Sequence, residues 1–260
     1  MKNSMVSCVV PVFNGERYVR EALESIHKQT YAPLEIIVVD DGSTDNTGKV
    51  IEGLDFSIHY VKQDNSGPAA TRNHGIRLAQ GDFVAFLDAD DLWHPEKLTK
   101  QMAEFQANSQ LEICVTHLSH FVDSDFGKKD IHYEGQRRLY NIPGYTTQTL
   151  LTRRTTFDKV GMFDHTFRNA DANDWFVRAA DMGASMELLP EVLVYRRLHS
   201  SNFSRQRVSQ SLDEHLEIIK ASLDRRRQRA GLSPKPYQFP TSDWRRGTNG
   251  KTGTYEEERT

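Results

Sequence analysis

Three short apolar runs near the start of the chain each end on oxygen-bearing side chains, and this pattern limits the folds open to it. "SCVVPVF" runs into Asn14, "LEIIVVD" into Asp40 and Asp41, and "DFVAFL" into Asp88, Asp90 and Asp91. An apolar run without polar alternation predicts a strand covered on both faces, which is the setting of a central parallel strand. Between the runs lie amphipathic stretches. Tyr18, Val19, Ala22, Leu23 and Ile26 recur at helical spacing, with Asn14 as the N-cap. A short helix from near Asn46 and a strand around "IHYVKQ" follow. "NSGPAATRNHGIRLAQ" then opens a helix with Pro68 in its first turn, and Pro95 opens another whose inner face holds Leu98, Met102 and Phe105. Strand and helix in alternation predict an α/β fold, a mostly parallel sheet flanked by helices.

The second half is less regular. "EICVTHLSHFV" reads as a strand of about ten residues, and 123–142 as a polar loop. "TLLTRRTTFDKVGMFD" reads as a strand, a short helix and a glycine turn. "DANDWFVRAADMG" is a helix closing on Gly183, and "VLVYRRLHSSNFS" is a strand entering a polar loop. Residues Val208 to Arg229 form an increasingly basic helix with Leu212, Leu216, Ile219 and Leu223 on one face, and the polar residues 231–260 form an extended tail. The expected organisation is one domain over 1–205, a C-terminal helix over 206–230 and the tail.

Composition removes several function classes. Lys plus Arg number 33 against 36 Asp plus Glu, a net charge of −3, so no global basic field favours nucleic acid. Cys8 and Cys114 sit in apolar runs without metal-ligand spacing and read as reduced core thiols, which fits the cytoplasm. No apolar run approaches the roughly 20 residues that span a bilayer. The basic C-terminal helix is the segment through which the chain would meet a membrane peripherally.

In open α/β sheets, ligands bind at the carboxyl ends of the strands. Pro11 to Asn14, Asp40 with Asp41, and Asp88 to Asp91 therefore converge on one edge. Clustered carboxylates suit a hard cation, Mg²⁺ or Mn²⁺, and such an ion suits a diphosphate. Without it, like charges this close raise one another's pKa. Asp45, Asp82 and Asp91 read instead as turn formers or helix caps.

"VVPVFNGERYVREALESIHKQTYAPLEIIVVDDGSTDNT", "NSGPAATRNHGI" and "GDFVAFLDADDLW" together resemble the family 2 glycosyltransferases, enzymes of the Rossmann-like GT-A fold that use a nucleotide-activated sugar. The resemblance runs without interruption from about residue 5 to 108 and more loosely to about 205. It implies a nucleoside-diphosphate sugar donor, with a UDP-sugar favoured, and a saccharide, lipid-linked or other hydroxyl acceptor, in cell-surface polysaccharide or glycoconjugate synthesis. It also implies that Pro11, Phe13, Asn14 and Glu16 wall the nucleoside pocket, that Asp41 contacts the base with Asp40 beside it, and that Gly67, Arg72 and Asn73 border the base and ribose. "DAD" is then the metal motif: Asp90 ligates the divalent ion, Mn²⁺ or Mg²⁺, and Asp88, next to Ala89, holds ribose or a metal-bound water. His199 would close the metal shell or meet the diphosphate.

The chain departs from the family at the catalytic base. Relatives carry an acidic pair, then an Asp and a helix turn ending in Arg, and the second acid of the pair is the base. Counting back from Arg178 puts Asp171, Ala172 and Asp174 at these places, so alanine stands at the usual base position. Asp171 is expected to take the role, with Asp174 the runner-up, better placed to cap the turn or pair with Arg178. Trp93 and Trp175 shape the acceptor cleft or simply pack, and His117 and His120 are structural. The expected activity is metal-dependent inverting glycosyl transfer. A catalytically silent sugar-nucleotide binding relative is kept open by Ala172. A nucleotidyltransferase fits less well, because "PVFNGERY" is not a basic Gly-rich loop.

Overall fold

A computed structural model describes residues 4–122, 142–199 and 208–231. The expected loop is therefore outside the described residues from 123 to 141, and the tail from 232 onward. Within them the chain runs β1 (Val6–Val12), α1 (Val19–His27), β2 (Leu34–Asp40), α2 (Thr47–Glu52), β3 (His59–Lys62), α3 (Pro68–Leu78), β4 (Phe83–Phe86), β5 (Leu92–Trp93) and α4 (Lys97–Ala107). Then follow β6 (Ile113–Val122), β7 (Ile142–Pro143), a 3₁₀ turn (Thr147–Thr149), β8 (Leu151–Arg153), α5 (Thr156–Val160), α6 (Asp171–Asp181), β9 (Met186–Leu198) and α7 (Val208–Arg229).

The strands form one sheet in the order β3-β2-β1-β4-β8-β6-β9-β5, with β7 on β6. The four strands β3, β2, β1 and β4 are mutually parallel, in register Val6 to Leu34 and Val6 to Phe83 across β1. Antiparallel β8 joins this half to β6, which pairs in parallel with β9. Side chains of β1 alternate between two cores, as a strand's period of two requires. Cys8 and Val10 pack with Leu23, Ile26 and Met102 on one face; Val9 packs with Ala69, Ile76 and Trp175 on the other. Burial on both faces is what the unbroken apolar runs predict.

Two expectations are corrected. Asn14 does not cap α1: its φ is 52°, and the helix starts at Val19 after a turn in which the Gly15 carbonyl accepts the N–H groups of Tyr18 and Val19. Asn14 instead faces the neighbouring loop, its N–H donating to Ser43 Oγ at 2.9 Å and its Oδ1 accepting the Thr44 N–H at 2.8 Å. The last long strand also begins earlier than expected, at Met186. Pro190 has no N–H to give the ladder, and the register steps from Thr116 opposite Leu189 to His117 opposite Val192, so a bulge carries Pro190 past its partner.

Cys8 and Cys114 are buried free thiols. Trp93 and Trp175 are packed, their indole N–H groups donating to the carbonyls of Gln148 and Gly161. The C-terminal helix α7 packs along α6 through Ile218 and Ser222, so Leu216, Ile219 and Leu223 face outward rather than into a core. Among the described residues, no helix is long and apolar enough to cross a membrane.

Candidate active site

Beyond Phe86 the chain continues along β1 for one more hydrogen bond, Leu87 N–H to the Val9 carbonyl, and then turns, the Asp91 N–H donating to the Asp88 carbonyl. This turn sorts three carboxylates. Asp91 is 1% exposed and accepts the Arg197 N–H at 2.9 Å. Burial, and then the charges of Asp90 and Asp88, push its carboxyl well above the usual range. It belongs to the scaffold, as its reading as a turn former implies. The side chains of Asp88 and Asp90 remain 27% and 30% exposed, open to a ligand.

Asp88 Oδ1 accepts from Arg72 Nη2 at 3.1 Å, and its Oδ2 accepts from the Gln148 amide. Asp90 Oδ2 lies 2.9 Å from His199 Nε2. The His199 ring packs on Tyr18 of the turn before α1, and Arg197 lies over the Tyr18 ring while reaching Glu21 Oε2 at 2.6 Å and the Asp90 carbonyl at 3.0 Å. Helix α1 thereby braces the turn from below.

The pair Asp90 and His199 fits a divalent ion. Two donors at adjacent positions about 2.1 Å from an octahedral ion lie about 3 Å apart, close to the observed spacing, and carboxylate with neutral imidazole suits Mn²⁺. Among the described residues no group of three or more His, Cys, Asp or Glu side chains gathers to hold a metal. An ion here would take its remaining ligands from phosphate oxygens and water, the usual arrangement for Mg²⁺ with a nucleotide.

At the ends of β1 and β2 the expected nucleoside residues come together, each held mostly by neighbouring loop residues. Asp40 is fully buried; it accepts the Ser43 N–H at 2.7 Å and the Tyr60 hydroxyl at 2.6 Å. Glu16 Oε2 takes the N–H and the side-chain amide of Asn46. Asp41 accepts the N–H groups of Ser66 (2.8 Å) and Gly67 (2.9 Å) and the Gln63 amide (2.8 Å). Gly67 has φ 87°, where a side chain is strained, and among the described residues beyond its chain neighbours no atom lies within 4 Å of where a Cβ would stand, so the described backbone there leaves room for an approaching ligand. Pro11 lies on β1, and the side chain of Phe13 projects from its end, 53% exposed.

Arg72 and Asn73 sit on α3 and part company. Asn73 pairs reciprocally with the backbone of Phe163, at 2.8 and 3.0 Å, tying α3 to the loop before α6. Arg72 is buried and extends between two acids, Nη1 2.7 Å from Asp171 Oδ2 and Nη2 3.1 Å from Asp88 Oδ1. Burial pushes the Asp171 carboxyl above its usual value, opposed by the charge of Arg72. Asp174 lies one turn further along α6, its Oδ2 2.7 Å from Arg178 Nε, and Arg178 in turn donates to the carbonyls of Val160 and Met162.

Sequence reasoning missed Gln148, Arg197, Glu21 and Tyr18. Each is remote in sequence from the carboxylates it supports. Only Gln148 left a signal, a lone amide in the otherwise small and apolar "YTTQTLL".

The family model described as "Glycosyl transferase family 2" matches residues 7–173. An uncharacterized glycosyltransferase of Rickettsia typhi is 29% identical over 81% of this chain and 69% of its own length. A second, from Nostoc, is 30% identical over 76% and 66%. Among solved structures, S. aureus TarS 1-349 in complex with UDP-GlcNAc superposes with a TM-score of 0.67 at 21% identity, covering 85% of this chain and 66% of that one. The mannosyltransferase PcManGT from Pyrobaculum calidifontis, in complex with GDP-Man and Mn²⁺, gives 0.66 at 20%, covering 86% and 65%. These likenesses show the fold, and the chain spans about two thirds of each of these four relatives. With its match over more than half of the 260 residues, the chain belongs to glycosyl transferase family 2.

Proposed function

We propose that the chain transfers a sugar from a nucleoside-diphosphate sugar to an acceptor hydroxyl with inversion, using Asp171 as general base. The observation that carries the proposal is Arg72, whose guanidinium joins Asp88 at the tip of β4 to Asp171 at the start of α6. The donor carboxylates and the base are thereby held one guanidinium apart. Asp174 spends its carboxylate on Arg178 and is assigned to the scaffold. Ala172 leaves the usual base position without an acid, and burial, which raises the Asp171 carboxyl above its usual value, favours its taking a proton.

The nucleoside lies against Pro11, Phe13, Asn14 and Glu16, with its base and ribose toward the loop that Asp41 latches around Gly67. Asp90 and His199 would hold a divalent ion, Mn²⁺ or Mg²⁺, which would neutralise the diphosphate leaving group. Asp88, oriented by Arg72 and Gln148, would face the ribose or a water of that ion. Asp171 takes the acceptor proton while the acceptor oxygen displaces the diphosphate at the anomeric carbon from the opposite side. A UDP-sugar is the favoured donor, and a saccharide or lipid-linked acceptor fits a role in surface-polysaccharide or glycoconjugate synthesis. Peripheral membrane contact through α7 belongs to the same reading.

A panel of UDP- and GDP-sugars assayed with Mn²⁺ and with excess EDTA tests it. Turnover should require the metal, and Asp90→Asn should remove most of it. Asp171→Asn should lower transfer by about 10² to 10⁴ while leaving nucleotide affinity nearly intact. Asp174→Asn should instead lower the melting temperature. Full activity in EDTA sinks the metal assignment, the reverse pattern for the two aspartates moves the base to Asp174, and donor binding without turnover of any sugar indicates a silent relative.

A further inference from the structure

Helix α7 lies outside the residues matched by the family model, yet it reaches the loop that presents Asp171. A carboxylate makes that contact. Glu214 accepts three consecutive backbone N–H groups, from Arg168 at 3.0 Å and Asn169 at 3.0 Å and from Ala170 at 2.9 Å. Successive N–H groups turned to one point form an anion-binding nest, and at the start of a helix the dipole adds to the attraction. Asp171 is the next residue. Within 168–170 itself, both polar side-chain atoms of Asn169 are buried with no hydrogen-bond partner among the described residues, so that side chain does not hold the segment.

The rest of α7 sets the register of this contact. Asn173 Nδ2 lies 2.7 Å from His215 Nε2 one turn into α6. At the far end of α6, Asp181 accepts from Ser222 Oγ at 3.0 Å, Arg225 Nε at 2.9 Å and Arg226 Nε at 2.8 Å, and the Arg229 guanidinium caps the Asp181 carbonyl. A helix held at both ends cannot slide along its neighbour, so Glu214 is fixed against the loop.

We propose that Glu214 is a positioning residue for the transfer reaction: it seats residues 168–170 so that Asp171 meets Arg72 and the acceptor. The assignment rests on the reading of Asp171 as the base. Displacing a catalytic group by about 1 Å can cost about a hundredfold in rate, whereas a merely structural contact costs stability and leaves kcat alone.

The test uses the full chain with the sugar nucleotide it turns over fastest. Glu214→Gln puts an amide N–H against the nest; kcat should fall by about tenfold to a hundredfold, with donor KM and the affinity for free UDP or GDP unchanged. Glu214→Asp, which keeps the charge, should recover part of kcat. Hydrogen exchange at the amides of 168–170 should quicken by about tenfold or more while β1 and β2 stay protected. In the Asp171→Asn background, adding Glu214→Gln should lower kcat no further. If Glu214→Gln keeps wild-type kcat while Asp171→Asn abolishes transfer, the inference is overturned and the base reading stands. If Asp171→Asn retains full transfer, the base reading falls and the positioning role falls with it, and quickened exchange at 168–170 would then mark Glu214 as a structural contact only. Should Glu214→Gln not fold, Glu214→Asp carries both measurements.

Discussion

The carboxylate of Asp41 has two oxygens and three donors around them, the N–H groups of Ser66 and Gly67 and the amide of Gln63. Whatever Asp41 does for a nucleotide, it also decides the shape of the loop in which Gly67 leaves the backbone open. Asp41→Ala strips three half-buried hydrogen bonds from this loop, so two effects should appear together. The affinity for free UDP should fall by about 1 to 3 kcal/mol, and the melting temperature should fall with it. Calorimetry that finds unchanged UDP affinity beside a lowered melting temperature would confine Asp41 to the loop and place the base elsewhere.

At the scale of elements, α7 presents two faces with different tasks. Its inner face holds α6; its outer face exposes Leu216, Ile219 and Leu223, with Lys220 and Arg227 one turn along from Leu216 and Leu223. An exposed apolar stripe flanked by cations suits an anionic bilayer surface. The full chain should therefore sediment with vesicles containing phosphatidylglycerol and less with pure phosphatidylcholine. Leu216→Asp with Leu223→Asp should weaken this by about tenfold or more, since each buried leucine contributes about 1.5 to 3 kcal/mol; equal sedimentation of variant and parent would refute the assignment. This face also shows where sequence reading stops. The helix Val208–Arg229 was legible because its period and charge are local, as were Pro68 opening α3 and Gly183 closing α6. Which face of α7 turns inward was not, because Ile218 and Ser222 are buried against α6 and Glu214 meets the backbone of residues 168–170 just before it. Among the proposed site residues, the carboxylates at strand ends could be found because an apolar run ending in Asp is a local signal. Arg72 as the link between Asp88 and Asp171, 16 and 99 residues away, depends on how α3, β4 and α6 meet in space.

For the molecule as a whole, Lys97 adds a dependence on pH. It is fully buried, with its amine 2.8 Å from Gln101 Oε1 and 4.1 Å from the centre of the Trp93 ring, and burial pulls its pKa from 10.5 down to about 7. Between these values the unfolded chain holds a proton that the folded chain lacks, so stability from this group is lowest below pH 7 and rises with pH toward 10.5. Cys8 and Cys114, pushed up to about 12 by burial, act in the opposite sense above pH 9. Lys97→Met removes the first contribution and leaves the second. Between pH 7 and 9 the parent should gain up to about 1.4 kcal/mol per pH unit relative to this variant. The orphaned Gln101 carbonyl costs the variant the same at every pH, so it does not blur the comparison, and parallel urea-unfolding curves for the two proteins would count against a neutral buried lysine.

The contact between Glu214 and residues 168–170 also sets an order in time. On the ribosome, β1 to β4 can pair as soon as the first ninety or so residues are out, since they are close in sequence and mutually parallel. The loop before Asp171 must wait for a side chain made 44 to 46 residues later. On the reading of Asp171 as the base, a nascent chain would thus acquire its proposed nucleotide edge well before that base is seated. Until α7 has left the exit tunnel and docked, it would be able to hold a sugar nucleotide without spending it.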